Sequence, residues 1–315
     1  MDVVFCADRS VLPGLHVAAY SLLERMSPAA GMVRFTIFSD ALTEADIALL
    51  EKTLKQLGRP FTLALRRVDA SFFTKFPSLN GSWATYYRLF AAQAMSTDRF
   101  LYVDADTLCD VDMSPLQSLD MGCFPAAWVP EAPLVHAVDR VVAEQLGNSP
   151  DEYYFNAGIM LINVVEWQKQ QITEKAMAYL AANRPAFWDQ SALNNVLYRN
   201  AFVLDGKFNC IANMRKNWPA LTLPYGKIGK LIHFLDYPKP WDWVGELVHP
   251  QYRLWRSVLD KTAMKGFRSW RPAPSRKFPV TVKARTGYKK NIKDRILFSG
   301  YSKGWLKSVK GVPKT

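Results

Sequence analysis

The alternation in the first hundred residues limits the fold more than any other feature of this chain. Short apolar runs at 2–7, 33–38, 61–65 and 100–103 are separated by stretches with helical spacing. Leu15, Ala18, Ala19, Leu22 and Leu23 mark the first such stretch; Ile47, Leu49, Leu50 and Leu54 mark the second, and 85–95 is the third. Strands joined through helices pair in parallel, with the helices covering both faces of the sheet. Thr43 stands three residues ahead of Asp46, the spacing of a capping box that opens the second helix. The expected class is therefore α/β, Rossmann-like, with a mostly parallel central sheet. The second half is more mixed. It predicts strands at 123–129 and 153–162, the latter broken by Asn156-Ala157-Gly158. Helices are expected at 139–146, 164–182 and 189–198, and a short strand at 231–234 before a Pro/Trp-rich loop.

Charge divides the chain more sharply than hydropathy. Residues 261–315 hold 16 Lys and Arg against one acid, Asp294, a net of +15; the 24 basic and 27 acidic residues before them give −3. The expected division is a globular domain over 1–258 and a basic, aromatic-containing tail over 259–315. Interleaved Lys, Arg, Tyr288, Phe298, Tyr301 and Trp305 suit peripheral attachment to an anionic membrane surface. Nucleic acid is the weaker partner for this tail, because no recognised module accompanies it. No apolar run is as long as a membrane span, and the Met1 end has no basic leader, so a cytoplasmic protein is expected. The four cysteines, Cys6, Cys109, Cys123 and Cys210, are scattered and read as reduced thiols.

The stretch FLYVDADTL (100–108) carries the chemistry. A buried strand is followed at once by Asp104 and Asp106. In extended backbone they would point to one side. Like charges so close are costly unless a cation joins them. Ligands bind at the carboxyl ends of strands in open α/β sheets, so a site for a hard divalent ion is the functional reading. The alternative is a solvated turn with Asp106 as a helix cap. An aspartyl-phosphate phosphatase is the other chemistry with this spacing. It would place Thr or Val two residues past the second Asp, but Thr107 follows directly.

Five ordered blocks give a resemblance: DVVFCAD at 2–8, YYRL at 86–89, FLYVDADTL, YFNAGIMLIN at 154–163 with WDQSALN at 188–194, and HFLDYPKPW at 233–241. Over about residues 1–258 the chain resembles the retaining glycosyltransferases of family 8, the group of lipopolysaccharide galactosyl- and glucosyltransferases and glycogenin. The resemblance implies a GT-A fold and a UDP-sugar donor. It also implies Mn²⁺, with Mg²⁺ as an alternative, and transfer of galactose or glucose with retention. Asp104, Asp106 and His233 would hold the metal. Lys239 would meet the diphosphate, and Arg88 the diphosphate or donor sugar. Ala7, Asp8 and Ser10 would contact uridine; Ala105, Asn156, Ala157 and Asp189 would line the donor. Gln190 and Asp189 would be the catalytic pair, stabilising positive charge at the sugar ring during same-face attack.

Three departures stand beside this. Ser10 and Val11 replace an Asn and a Tyr common in the family; Asp236 replaces a Gly; and Glu131 stands near a strand end that often carries Asp. The structural alternatives are an acid-paired helix arginine for Arg88, a loop lysine for Lys239, an N-cap for Asp189 and a β-bulge at Asn156–Gly158. Gly158 would otherwise admit a ligand close to the backbone. His16, His136 and His249 read as structural; Trp241 and Trp243 as sugar-stacking or loop-packing. The implied acceptor is a lipid-linked saccharide at the inner face of a bacterial cytoplasmic membrane. A catalytically weak binder of nucleotide sugar, and a polyanion-binding protein acting through the tail, are the other function classes.

Overall fold

The computed structural model describes residues 1–79, 81–212, 223–235, 238–242, 245–249 and 251–268. Asp236, Trp243 and the tail from 269 onward lie outside the described residues. In chain order the first elements are β1 (Asp2–Cys6), α1 (Leu12–Arg25), β2 (Val33–Ser39), α2 (Glu44–Lys55), β3 (Phe61–Arg67), α3 (Ala84–Ala94), β4 (Arg99–Val103) and β5 (Thr107–Cys109). There follow β6 (Ala126–Pro133), α4 (Arg140–Gln145), β7 (Tyr153–Asn163), α5 (Val164–Lys169), α6 (Ile172–Asn183) and α7 (Trp188–Val196). The last are β8 (Phe202–Val203), β9 (Cys210–Ala212), β10 (Leu231–Phe234), α8 (Gly245–Val248) and α9 (Tyr252–Leu259).

Seven strands form the central sheet in the order β3-β2-β1-β4-β7-β6-β8. The pairs among β3, β2, β1 and β4 are parallel, and only β7 runs against its neighbours. Strand alternation sorts the cores. Val3, Phe5, Leu101 and Val103 pack with α1 and α2, while Val4, Cys6, Phe100 and Tyr102 pack with α3, α5, α6 and α7. The expected helices on both faces are present. Thr43 caps α2 through the reciprocal bonds expected of it: Thr43 Oγ1 accepts the Asp46 amide, and Asp46 accepts the Thr43 amide. A second sheet, β5-β10-β9, stands beside the first and packs under α9.

Four expectations change. β4 ends at Val103, so Asp104-Ala105-Asp106 is a turn between β4 and β5, not extended strand. The run 153–163 is one continuous strand. Its break is a bulge, because Trp128 pairs with Met160 while the next residue, Val129, pairs with Asn156. The helical stretch 164–182 is two helices, with Gln171 at φ 56° between them. Asp189 lies inside the first turn of α7; Phe187 is the cap, without a side-chain bond.

Candidate active site

The Asp104–Asp106 turn is pinned from both sides. The Asp104 amide donates to Gly158 O in the β7 bulge (2.8 Å), and the Phe234 amide of β10 donates to Asp106 O (2.8 Å). Thr107 Oγ1 donates to Asp104 O across the turn (2.9 Å). The carboxylates are thus fixed by backbone from both sheets.

Each carboxylate has its own cation. Arg88 of α3 is buried; its Nη2 lies 3.0 Å from Asp104 Oδ1 and its Nε 2.9 Å from Asp189 Oδ2. The same guanidinium donates to Ala157 O (2.5 Å) and lies over the Tyr102 ring. Tyr102 OH donates to Asp104 Oδ1 (2.6 Å). Lys239 Nζ is 2.6 Å from Asp106 Oδ2 and donates to Phe234 O (2.6 Å). Burial works to raise the Asp106 pKa, but the Lys239 ammonium beside it outweighs that and holds this carboxyl far below the ordinary range. For Asp189 the balance reverses. Burial raises its pKa although Arg88 and Thr85 pull it down.

His233 completes the group. Its Nε2 is 3.1 Å from Asp106 Oδ1 and 3.6 Å from Asp104 Oδ2. That Nε2 is buried and has no hydrogen-bond partner among the described residues. Ligand atoms of Asp104, Asp106 and His233 lie within 4.8 Å of one another. An imidazole nitrogen facing two carboxylates is an arrangement that a divalent cation completes. Two oxygens and one nitrogen suit Mn²⁺ better than the thiolate-preferring ions. The residues therefore fit the metal that the resemblance implies.

Asp189 and Gln190 come from α7 on the far wall. Thr85 Oγ1, one turn before Arg88, donates to Asp189 Oδ1. Gln190 Oε1 accepts from the Ala157 amide (3.0 Å) and from Asn156 Nδ2 (3.2 Å), while its Nε2 donates to Tyr154 OH (3.3 Å). Asn156 Nδ2 also meets Glu131 Oε2 (3.3 Å). Asp8 closes the rim at the end of β1, where its Oδ1 accepts the Ser10 amide (2.6 Å).

All thirteen residues expected at the site line one cleft of about 500 Å³. Arg88 is acid-paired as well as placed in the cleft, and Lys239 is buried rather than a solvated loop lysine. Gly158 is a correction. The group that approaches its backbone is His233, since a Cβ there would lie 2.1 Å from His233 Cε1. Trp241 is a packing residue, buried against Trp255, with Nε1 donating to Ser10 O (3.0 Å). His16 and His249 are buried away from the cluster, as structural histidines should be. Sequence reading missed Thr85, Tyr154 and Asn209. Thr85 was within reach, because its (i, i+3) spacing puts it on the Arg88 face. Asn209 gave no local signal.

The pattern of the family described as Glycosyl transferase family 8 matches residues 2–244. The chain is 29% identical over 285 residues to a lipopolysaccharide 1,2-glucosyltransferase of Escherichia coli, covering 84% of this chain and 82% of that one. It is also 29% identical over 262 residues to a lipopolysaccharide 1,3-galactosyltransferase of Salmonella typhimurium, covering 80% and 76%. The crystal structure of the galactosyltransferase LgtC with donor and acceptor sugar analogs superposes with a TM-score of 0.67 at 23% identity, over 83% of this chain and 96% of that one. That likeness establishes the fold, the GT-A arrangement expected above.

Proposed function

This chain belongs to glycosyl transferase family 8, and we propose that it moves galactose or glucose from a UDP-sugar to a lipid-linked saccharide such as the lipopolysaccharide or lipooligosaccharide core. Relatives named for transfer to lipopolysaccharide support the acceptor class, and their two sugars support a hexose donor. The observation that carries the reading is the buried His233 Nε2, without a hydrogen-bond partner among the described residues, facing Asp104 and Asp106. Those three residues would hold Mn²⁺, or Mg²⁺ less well given the imidazole, and the bound ion would offset the charge of the departing diphosphate.

The protein's own groups complete the reaction. Lys239 adds positive charge beside Asp106 for the diphosphate. Ala7, Asp8 and Ser10 form the rim for uridine, and Ala105, Asn156 and Ala157 face the donor. Arg88 holds Asp104 and Asp189 in register, so that Asp189 meets the donor sugar. Gln190 Oε1 already accepts two hydrogen bonds, which makes it a poor nucleophile. Same-face attack follows. The bond from the anomeric carbon to the phosphate oxygen breaks, and the bond to the acceptor oxygen forms. The acceptor's proton passes to the departing phosphate oxygen, while Asp189 and Gln190 stabilise the positive ring. Among the described residues no helix is long and apolar enough to cross a membrane. Attachment at the cytoplasmic face falls to the basic tail, whose Lys and Arg each contribute roughly 1 kcal/mol at an anionic surface.

Hydrolysis of a panel of UDP-sugars, with and without Mn²⁺, tests this. Slow Mn²⁺-dependent cleavage of one hexose donor, lost in Asp106→Ala, is expected. Failure of UDP to bind would overturn the reading; UDP bound, with no turnover even when acceptor is added, would favour a catalytically weak binder.

A further inference from the structure

We infer that Asn209 is a positioning residue that fixes His233 in the tautomer protonated at Nδ1, leaving the Nε2 lone pair aimed between Asp104 and Asp106. What that lone pair binds rests on the metal site proposed above; the tautomer does not.

The chain of bonds begins at a group that cannot change sign. The Gly158 amide, in the β7 bulge, donates to a side-chain atom of Asn156 at 3.0 Å. A backbone N–H only donates, so that atom is the oxygen, Oδ1. Asn209 meets the same oxygen at 2.9 Å and must do so through Nδ2. Its other terminus is then Oδ1, which lies 3.1 Å from His233 Nδ1. An amide oxygen only accepts, so His233 Nδ1 carries the proton.

The opposite tautomer would set the Nδ1 lone pair against Asn209 Oδ1. Turning the Asn209 amide would set oxygen against oxygen at Asn156. Turning Asn156 as well would set its NH₂ against the Gly158 amide, and would remove the donor now facing Gln190 Oε1. All four partners are buried, so water cannot absorb the mismatch. Gly158 also fixes the ring position, because its missing Cβ is the space that His233 Cε1 and Nδ1 fill. A second bond that sets the tautomer and aim of a ligating histidine is a general device of metal sites. Here it reaches His233 from Asn209, 24 residues earlier in the chain.

The test uses the full chain, stripped of metal, at about pH 8.5, where an ordinary imidazole is neutral. Nitrogen-15 NMR of the imidazole distinguishes the two tautomers directly, with His233 assigned by its loss in His233→Gln. Wild type should show the Nδ1–H form. Asn209→Leu, which removes the acceptor, should move toward Nε2–H and lose about 10- to 100-fold in Mn²⁺ affinity, read from the EPR signal of the free ion. Asn209→Asp, which keeps an acceptor for Nδ1–H, should retain the wild-type tautomer. An Nε2–H form in wild type overturns the inference whether or not the variants fold, and so does an unchanged tautomer in folded Asn209→Leu. Wild type with the Nδ1–H form that fails to bind Mn²⁺ bears the inference out and sinks the metal reading instead.

Discussion

Asp106 and Asp110 flank the same three-residue strand, β5, and both are inward-facing carboxylates beside a cation. Asp110 is held by three backbone donors and an ion pair. It accepts the amides of Gly226 (2.8 Å), Ile228 (2.6 Å) and Gly229 (3.4 Å), and Arg25 Nε lies 2.9 Å away. Gly226, at φ 92°, makes the turn that points these amides inward. Asp106 has Lys239 on one oxygen, but the other faces the bare Nε2 of His233. Three backbone amides donate to Asp110, whereas Asp106 takes one side-chain donor, Lys239. A buried acid is structural where the protein supplies its donors, and marks a binding site where it leaves some to be supplied.

The largest test of this contrast is at Asp106. Asp106→Asn removes a charge that the proposed metal site requires. Transfer should fall by about 10⁴-fold, about 5.5 kcal/mol. The free energy of urea unfolding should change by no more than about 1 kcal/mol, since the neutral amide relieves some carboxylate crowding as it loses Lys239. A collapse of stability with turnover preserved in the folded fraction would break the contrast outright.

Asp110→Ala should do the reverse. It leaves three amides without their acceptor and Arg25 without one of its ion-pair partners, at about 4 kcal/mol by urea unfolding. Turnover per folded molecule should stay near wild type, because Asp110 lines no part of the cleft. A matched loss of activity would show the two carboxylates to be one functional unit.

A smaller effect sharpens the rule by asking whether an orphaned nitrogen alone makes a site. His16 is fully buried in α1; its Nδ1 meets Thr53 Oγ1 at 2.7 Å, and its Nε2 has no hydrogen-bond partner among the described residues. Burial lowers its pKa to about 4, although Asp46 pulls it back up. In the unfolded chain it is ~6.5. Between those values the unfolded state holds the proton and the folded state does not. His16's contribution is therefore complete above about pH 6.5 and is lost as pH falls toward 4, by about 3 kcal/mol. His249, which burial and Lys239 push down to about 3, acts in the same sense. His16→Asn should lose that much less stability on acidification than wild type, with unchanged Mn²⁺ affinity. Loss of metal binding in this variant would mean that orphaned nitrogens alone signal ligands here.

The same distinction explains what could be read from the sequence. The capping box at Thr43 and the alternating strands are written in residues a few positions apart, and they fold as spacing predicts. The five blocks hold twelve of the thirteen expected residues, and these line one cleft together with Ser10. The bulge at Asn156–Gly158 and the turn at Asp104–Asp106 were legible only as alternatives, and the reversed β7 was not legible, because each depends on a partner strand far along the chain. Asn209 is harder still. Nothing in Gly206-Lys207-Phe208-Asn209-Cys210 shows that this amide sits between His233 and Asn156, 24 and 53 residues away.

Gly158 offers the smallest and most local test. Glycine in a strand bulge invites the reading that a ligand approaches the backbone, but here the space is filled by His233. Gly158→Ala would put Cβ 2.1 Å from His233 Cε1 and 2.9 Å from Asn156 Oδ1, so the imidazole must move. The backbone at 158 does not require glycine for its φ, so strain should fall on the ring and not on the strand. Mn²⁺ affinity should drop about 10- to 100-fold, about 1.4–2.8 kcal/mol. The KM for UDP-sugar at saturating Mn²⁺ should rise by less than threefold, the change expected if the methyl displaces a metal ligand and not the donor. A large rise in KM with metal affinity intact would return Gly158 to the donor and make His233 its neighbour by coincidence of packing.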